Sequence, residues 1–288
     1  TYLSPSLGFP FANALLATDA GLLLGTRTGL FRWQPAARSW MVVQGEEFPP
    51  EGVTALAAAP SGADIIYAGT GEGLYRSHDG GASWAHVWSD RKFGIRALAV
   101  APTDPDHVYA LAAWERMYES DDGGQSWQAR WAGLGVATEA VSLAIDPVDP
   151  QTLYLGADTG LYRSRYGGED WRPVGRPLDD QTVLTLRAEP QGKAIVVPPA
   201  PGDQRRASAL YLGATRGAYR SQDGGDTVER WGRGLEGVSV SALLFDPSDP
   251  QIVYAGTAYA GLYRSLNGGE TWQSFGPAGL AGELVESL

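Results

Sequence analysis

The sequence predicts an all-β chain, a β-propeller assembled from four-stranded blades. One observation is a repeated phrase: Gly73-Leu-Tyr-Arg-Ser-His-Asp-Gly-Gly-Ala-Ser-Trp84 returns with small changes, its copies ending at Trp127, Trp171, Val228 and Trp272. A decayed first copy ends at Trp40. A second observation is the spacing, because successive ends are 44, 43, 44, 57 and 44 residues apart, a period that suits one four-stranded sheet per repeat. The third is composition. The 288 residues include 38 Gly, 19 Pro and 10 Trp; Gly and Pro punctuate turns and aromatic residues favour sheets, so short strands are expected and long helices are not.

The second copy illustrates the four strands. Residues 53–59, Val-Thr-Ala-Leu-Ala-Ala-Ala, are apolar but small, as befits the innermost strand where several sheets converge. Residues 65–69 form a continuous apolar run, which suits a second strand covered on both faces. Leu74 to Ser77 is the third strand, and Trp84 to Trp88 begins the fourth beyond a Gly-Gly turn. The turns at 102–105, 146–150 and 246–250 are fixed by proline between first and second strands. They lack the glycine and the distal bidentate acid of a loop-type calcium site, so hydrogen bonds from their carboxylates to the turn backbone are expected rather than metal binding.

The long interval holds an insertion from Gln191 to Ala209. At the ends, residues 11–16 and 284–288 resemble first strands and residues 1–4 resemble a fourth strand, so one tail is expected to close the ring. Six blades accommodate every full repeat and are favoured; seven is the alternative. Residues 1–288 are taken as one domain.

With 22 basic and 33 acidic residues the chain carries a formal charge of −11, which argues against nucleic acid as a partner because nothing offsets phosphate repulsion. No apolar run approaches the roughly 18 residues needed to span a bilayer. The absence of cysteine removes disulfides, thiolate metal sites and cysteine nucleophiles. His78, His86 and His107 share no ligand spacing, so neither a metal nor a cofactor is expected. Glycine-rich pieces such as residues 69–73 precede strands rather than helices and are not phosphate cradles. Thr1 in place of an initiator Met fits a processed or trimmed chain, and an extracytoplasmic protein, periplasmic or secreted, is expected.

The recurring Ser-x-Asp-x-Gly-x-x-Trp phrase resembles the Asp-box, or BNR repeat, of sialidases, xyloglucanases, sortilin-type receptors and photosystem II stability/assembly factors. The resemblance covers nearly the whole chain. Ser77, Asp79, Gly81 and Trp84 match it fully, as do Ser120, Asp122, Gly124 and Trp127. Tyr166 and Asn267 stand at Asp positions and Val228 at a Trp position. Pro35 and Ala37 replace Asp and Gly in the first copy, so an irregular turn is expected there. Ser and Asp side chains can accept turn N–H groups, Gly permits positive φ, and Trp fills the space between hairpin and blade. Residues that recur in every blade cannot form one unique active site. The same logic covers Arg32, Arg76, Arg163, Arg220 and Arg264, expected to lay their stems on the sheet and bond loop carbonyls. Glu119 breaks that series.

A sialidase resemblance implies an arginine triad, a tyrosine nucleophile with its glutamate and an acidic aspartate, yet the repeating arginines sit beside the turn. A xyloglucanase resemblance implies two carboxylates across a cleft between tandem propellers, and this chain supplies one propeller. No catalytic residue is assigned, although Glu72, Glu115 and Asp158 keep a glycosidase reading open. Function is therefore sought where the copies differ, on loops held by a rigid scaffold. Between second and third strands these loops carry Arg27, Glu72, Trp114, Glu115, Arg116, Asp158, Arg216 and Tyr259; between blades they carry Arg91 and Phe93. Aromatic and arginine anchors dominate protein binding. The expectation is a noncatalytic protein-binding scaffold, an assembly factor or subunit of an exported complex, with a carbohydrate-active, glycan-binding module as the alternative.

Overall fold

A computed structural model describes residues 12–18, 21–37, 39–43, 52–59, 62–89, 94–112, 116–135, 138–175, 178, 181–189, 209–246 and 249–275. These form six four-stranded antiparallel sheets, each a meander in chain order, and are the six blades of a β-propeller. Blade 1 comprises β1 (Ala12–Thr18), β2 (Gly21–Thr26), β3 (Gly29–Gln34) and β4 (Ser39–Val42). Blade 2 comprises β5 (Val53–Ala59), β6 (Gly62–Thr70), β7 (Leu74–Ser77) and β8 (Ala85–Trp88). Blade 3 comprises β9 (Ile95–Ala101), β10 (Asp104–Ala112), β11 (Arg116–Ser120) and β12 (Gln128–Ala129). Blade 4 comprises β13 (Ala140–Ile145), β14 (Leu153–Ala157), β15 (Gly160–Ser164) and β16 (Arg172–Val174). Blade 5 comprises β17 (Val183–Glu189), β18 (Ala209–Ala214), β19 (Gly217–Ser221) and β20 (Glu229–Arg230). Blade 6 comprises β21 (Val240–Phe245), β22 (Val253–Thr257), β23 (Leu262–Ser265) and β24 (Gln273–Ser274).

Among the described residues there is no helix, hence none long and apolar enough to cross a membrane. The chain divides into two compact units, Thr1–Ala129 with blades 1 to 3 and Arg130–Leu288 with blades 4 to 6. The expected tail strands at residues 1–4 and 284–288 lie outside the described residues, as do residues 191–208 of the insertion.

In the first unit β5 packs beside both β1 and β9. This is why its side chains are small. Leu23 and Leu30 of blade 1 share a core with Val53, Ile66, Tyr75 and Trp84 of blade 2. Close approach is set by glycine in the second strand: a Cβ on Gly25 would lie 2.7 Å from Val53 Cγ1, and one on Gly69 would lie 2.6 Å from Ile95 Cγ2. A branched residue opening one blade thus presses on a glycine of the blade before it. The second unit repeats the device, with Gly156 against Val183, and β17 packs beside β13 and β21. In blade 3 the register opposes Tyr109 to Glu119, as Tyr67 opposes Arg76 in blade 2, and Leu111 occupies the place of Gly69.

Two local expectations need correction. The strand expected at 65–69 begins earlier, at Gly62, which pairs with Ala59 after a bulge. The turn expected at 102–105 is partly strand: Asp104 pairs with Ala101, so β10 starts before Pro105 and carries His107. The first copy's turn is short. Gln34 pairs with Ser39, leaving only residues 35–38 between them.

Candidate functional site

The connection from β7 to β8 shows how the repeated residues are used. Ser77 Oγ donates to Asp79 Oδ1 at 2.8 Å and accepts the Gly81 N–H at 2.7 Å. Asp79 Oδ1 accepts the N–H groups of Ala82 and Ser83 at 2.9 and 2.8 Å, while Ser83 Oγ donates to Oδ2 at 2.6 Å. The four bonds donated to Asp79 favour its ionised carboxylate. The Ser83 hydroxyl contributes most, and the Asp79 pKa is held down at about 2. Gly80 and Gly81 have φ of 67° and 86°, the left-handed region in which a side chain is strained. Trp84 donates Nε1 to the Gly81 carbonyl at 3.2 Å. Ser120, Asp122, Ser126 and Trp127 repeat the arrangement, with Ser126 Oγ donating to Asp122 at 2.6 Å and Trp127 to Gly124 at 3.0 Å.

The eroded copies keep the turn by different means. Tyr166, at an Asp position, is exposed; Asp170 takes over, accepting Ser164 Oγ at 2.9 Å and the Arg165 N–H at 3.3 Å. Asn267 accepts the Thr271 N–H at 3.0 Å through Oδ1 and donates to Thr271 Oγ1 at 3.0 Å through Nδ2. Val228, at a Trp position, is itself buried in a cluster with Leu161, Val183 and Leu210, while Trp231, later in the chain, is buried in another cluster and donates Nε1 to the Gly268 carbonyl of blade 6 at 3.0 Å. Asp170 does not occupy the motif position it serves and Trp231 belongs to no motif position, so motif matching missed both.

The repeating arginines bond carbonyls of the next blade. Arg32 donates to Gly80 at 2.6 Å, Arg76 to Gly123 at 3.3 Å, and Arg163 to Gly224 at 2.6 Å. Arg76 and Arg163 also pair with Asp106 and Asp226. In blade 5, Trp231 holds the corresponding carbonyl of Gly268 and Arg220 turns to Glu229 at 2.7 Å. In blade 6, Arg264 lies over the Phe275 ring, 4.3 Å from its centroid. Glu119, the exception, accepts Tyr109 Oη at 2.8 Å and lies 2.8 Å from His107 Nε2. That hydrogen bond raises the His107 pKa above its ordinary value, against the effect of burial.

The loops between second and third strands close on a buried threonine. Thr26, Thr70 and Thr257 donate Oγ1 to the carbonyls of Gly29, Gly73 and Gly261 at 3.1, 3.1 and 2.7 Å. In the first unit these loops carry exposed Arg27 and Glu72. Trp114, Glu115, Arg91 and Phe93 lie outside the described residues, and Arg116 opens β11 opposite Ala112. In the second unit Asp158, Arg216 and Tyr259 occupy equivalent loops of consecutive blades, at the end where β13, β17 and β21 begin. Asp158 Oδ1 accepts the Glu139 N–H at 3.0 Å, so its carboxylate also fastens the segment entering β13. Tyr259 is 76% exposed. No group of three or more metal-ligating side chains gathers among the described residues.

A family model described as Sortilin, neurotensin receptor 3, matches residues 72–197. A xyloglucanase from Paenibacillus sp is 31% identical over 198 residues, which is 57% of this chain and 19% of that protein. The fold is a β-propeller. Among solved structures, a GH74 enzyme of Niastella koreensis superposes with a TM-score of 0.72 at 19% identity, covering 92% of this chain and 45% of its own. A GH74 xyloglucanase from Xanthomonas campestris gives 0.68 at 20% identity, with the same two coverages. The extracellular domain of a putative one component system from B. thetaiotaomicron gives 0.72 at 16% identity, over 98% of this chain and 36% of that one. The chain therefore spans less than half the length of each of these relatives.

Proposed function

We propose that the protein is a noncatalytic β-propeller that binds a protein partner outside the cytoplasm through the loops joining the second and third strands of its blades. One observation carries the reading. Side chains at repeated positions are committed to the fold, the serine and aspartate to the turn and three of the five arginines to the next blade's carbonyl, whereas Arg27, Glu72, Asp158, Arg216 and Tyr259, at positions that differ between copies, stand exposed at loop ends. Tyr259 is the plainest case, a large ring at 76% exposure on a loop held by the Thr257 hydroxyl. Exposed aromatic side chains on rigid loops are effective anchors, since little conformational entropy is lost when they are covered. The extracytoplasmic placement draws support from the extracellular domain among the structural neighbours.

A carbohydrate-active module is the second reading, favoured by the 31% identity to a xyloglucanase. The two separate in one comparison. Purified protein is incubated with xyloglucan and with sialosides while its retention of a partner from native lysate is measured for wild type and Tyr259→Ala. The scaffold reading expects no released sugar and a partner lost with the ring; repeated turnover of xyloglucan, abolished by Asp158→Asn, reverses the order of the two readings.

A further inference from the structure

We propose that Asn267 is a site of spontaneous deamidation, and that its conversion to aspartate completes the repeated turn of blade 6. The Asn267-Gly268 step is the only Asn-Gly pair in the chain. The other asparagine, Asn13, precedes Ala14 and donates Nδ2 to the Val53 carbonyl at 3.0 Å. Glycine after asparagine leaves the main-chain nitrogen unshielded by a Cβ, so that nitrogen can close on the side-chain carbonyl carbon. The turn itself demands the glycine, because Gly268 has φ of 64°.

The turn also activates the side chain. Asn267 Oδ1 accepts Ser265 Oγ at 2.9 Å and the Thr271 N–H at 3.0 Å, donors that stabilise the negative charge developing on this oxygen when Cγ is attacked. Thr271 Oγ1 lies 3.0 Å from Nδ2, within reach to protonate the departing nitrogen. The nucleophile is held back: the Gly268 N–H donates to the Gln251 carbonyl at 2.8 Å, so that bond must open first and the folded chain reacts more slowly than the unfolded one. The Gly268 nitrogen then bonds Cγ as its proton passes to solvent. The Cγ–Nδ2 bond breaks, and ammonia leaves with a proton from the Thr271 hydroxyl, which solvent replaces. Water adds to the resulting imide, at Cγ to restore the Gly268 N–H and leave aspartate, or at the main-chain carbonyl to leave isoaspartate. Ser265 and Thr271 polarise Cγ more strongly than the Glu270 N–H, at 3.3 Å from the Asn267 carbonyl oxygen, polarises the main-chain carbon. Aspartate is therefore the favoured product. A cavity of about 130 Å³ lined by Asn267, Thr271 and Gln273 gives water and ammonia a route.

The product finds its place already formed. Asp79, Asp122 and Asp223 accept hydroxyl donors from Ser83, Ser126 and Thr227 at 2.6 Å each, the relation in which Asn267 stands to Thr271. Rotation of one hydroxyl turns it from acceptor to donor. Arg264, which makes no ion pair among the described residues, lines the same cavity and favours a carboxylate there. Isoaspartate would add a methylene to the main chain and disrupt the bond from the Gly269 N–H to Ser265 Oγ, now 2.8 Å.

The test is peptide mapping of the full chain aged in mildly alkaline buffer, folded and in urea, as wild type, Thr271→Val and Thr271→Ser, with Asn267→Asp as the product standard and a melting curve for each. Trypsin cleaves after Arg264 and releases residues 265–288, in which deamidation adds about 1 Da and the aspartyl and isoaspartyl forms separate by chromatography. The folded wild type is expected to accumulate aspartate over isoaspartate, and the unfolded chain the reverse. Thr271→Val should slow the folded reaction at least about tenfold, Thr271→Ser should restore it, and all three should react alike in urea. Absence of conversion in the folded chain, an excess of isoaspartate there, or folded Thr271→Val reacting at the wild-type rate overturns the proposal. None of these outcomes bears on partner capture by Tyr259.

Discussion

Arg163 of blade 4 donates to the Gly224 carbonyl of blade 5 at 2.6 Å. The bond joins a repeated side chain of one sheet to the turn of the next, and its second amino group reaches Asp226 at 2.7 Å. A turn that is internally hydrogen-bonded through Ser221 and Asp223 thus serves as a rigid acceptor for its neighbour. Stability propagates from blade to blade within the unit, as in other repeat architectures.

Removing this clasp is expected to destabilise the second unit. The Arg163 side chain is 12% exposed, so Arg163→Ala leaves a shielded carbonyl and a carboxylate without their donor. Charge-assisted hydrogen bonds contribute about 1.5 to 3 kcal/mol, and urea denaturation should show a loss of that size. A loss near zero would mean that water replaces the guanidinium at no cost.

Acid should weaken the turns. Asp79 is lowered from 3.8 to about 2, first by the Ser83 hydroxyl, and Asp122 is lowered by the matching Ser126 bond. A depressed carboxylate contributes stability that is present above the unfolded value and lost as pH falls through the folded one. Melting temperature is therefore expected to fall between roughly pH 4 and pH 2. Asp79→Asn should flatten part of that slope while keeping the fold, because Asn267 sustains the same geometry in blade 6 with Nδ2 to Thr271 Oγ1 at 3.0 Å. The reverse change, Asn267→Asp, should steepen it.

The repeat was legible because each blade needs the same turn: Ser77 and Asp79 bond the backbone of their own hairpin, so spacing alone exposes them. The six sheets follow from that period. Asp170 and Trp231 were not legible, since Asp170 takes the hydrogen bonds of a motif position it does not occupy and Trp231 takes the carbonyl contact made elsewhere by the repeating arginine. The destination of the arginines was half legible. Carbonyl acceptors were foreseeable from guanidinium chemistry, but that they belong to the next blade depends on packing that no local pattern encodes. The loop residues Arg216 and Tyr259 stood out only because they vary between copies, and variation carries no geometry.

His107 gives the opposite pH dependence. Its pKa is raised from 6.5 by the hydrogen bond to Glu119, and burial opposes the shift. A raised histidine contributes stability that is complete below the unfolded value and is lost as pH rises through the folded one. The first unit should therefore soften as pH climbs above about 6.5, and Glu119→Gln should remove that slope. Thermal melts at several pH values, wild type beside variant, decide it; identical slopes would show that Glu119 does not favour the protonated form of His107.

Scaffold and loop should separate in a final comparison. Trp84 is 6% exposed and packs with Leu23, Leu30, Ile66 and Tyr75, so Trp84→Ala removes a large buried ring and should lose roughly 3 to 5 kcal/mol. Its folded fraction should still bind, because no loop residue has changed. Tyr259 packs against little, and Tyr259→Ala should leave stability within about 0.5 kcal/mol of wild type while weakening partner capture, as loss of an exposed anchor does. Measured together, melting temperature and partner retention should move in opposite variants. Full retention by Tyr259→Ala would move the binding surface away from this loop, to blade ends whose residues sit at other repeat positions.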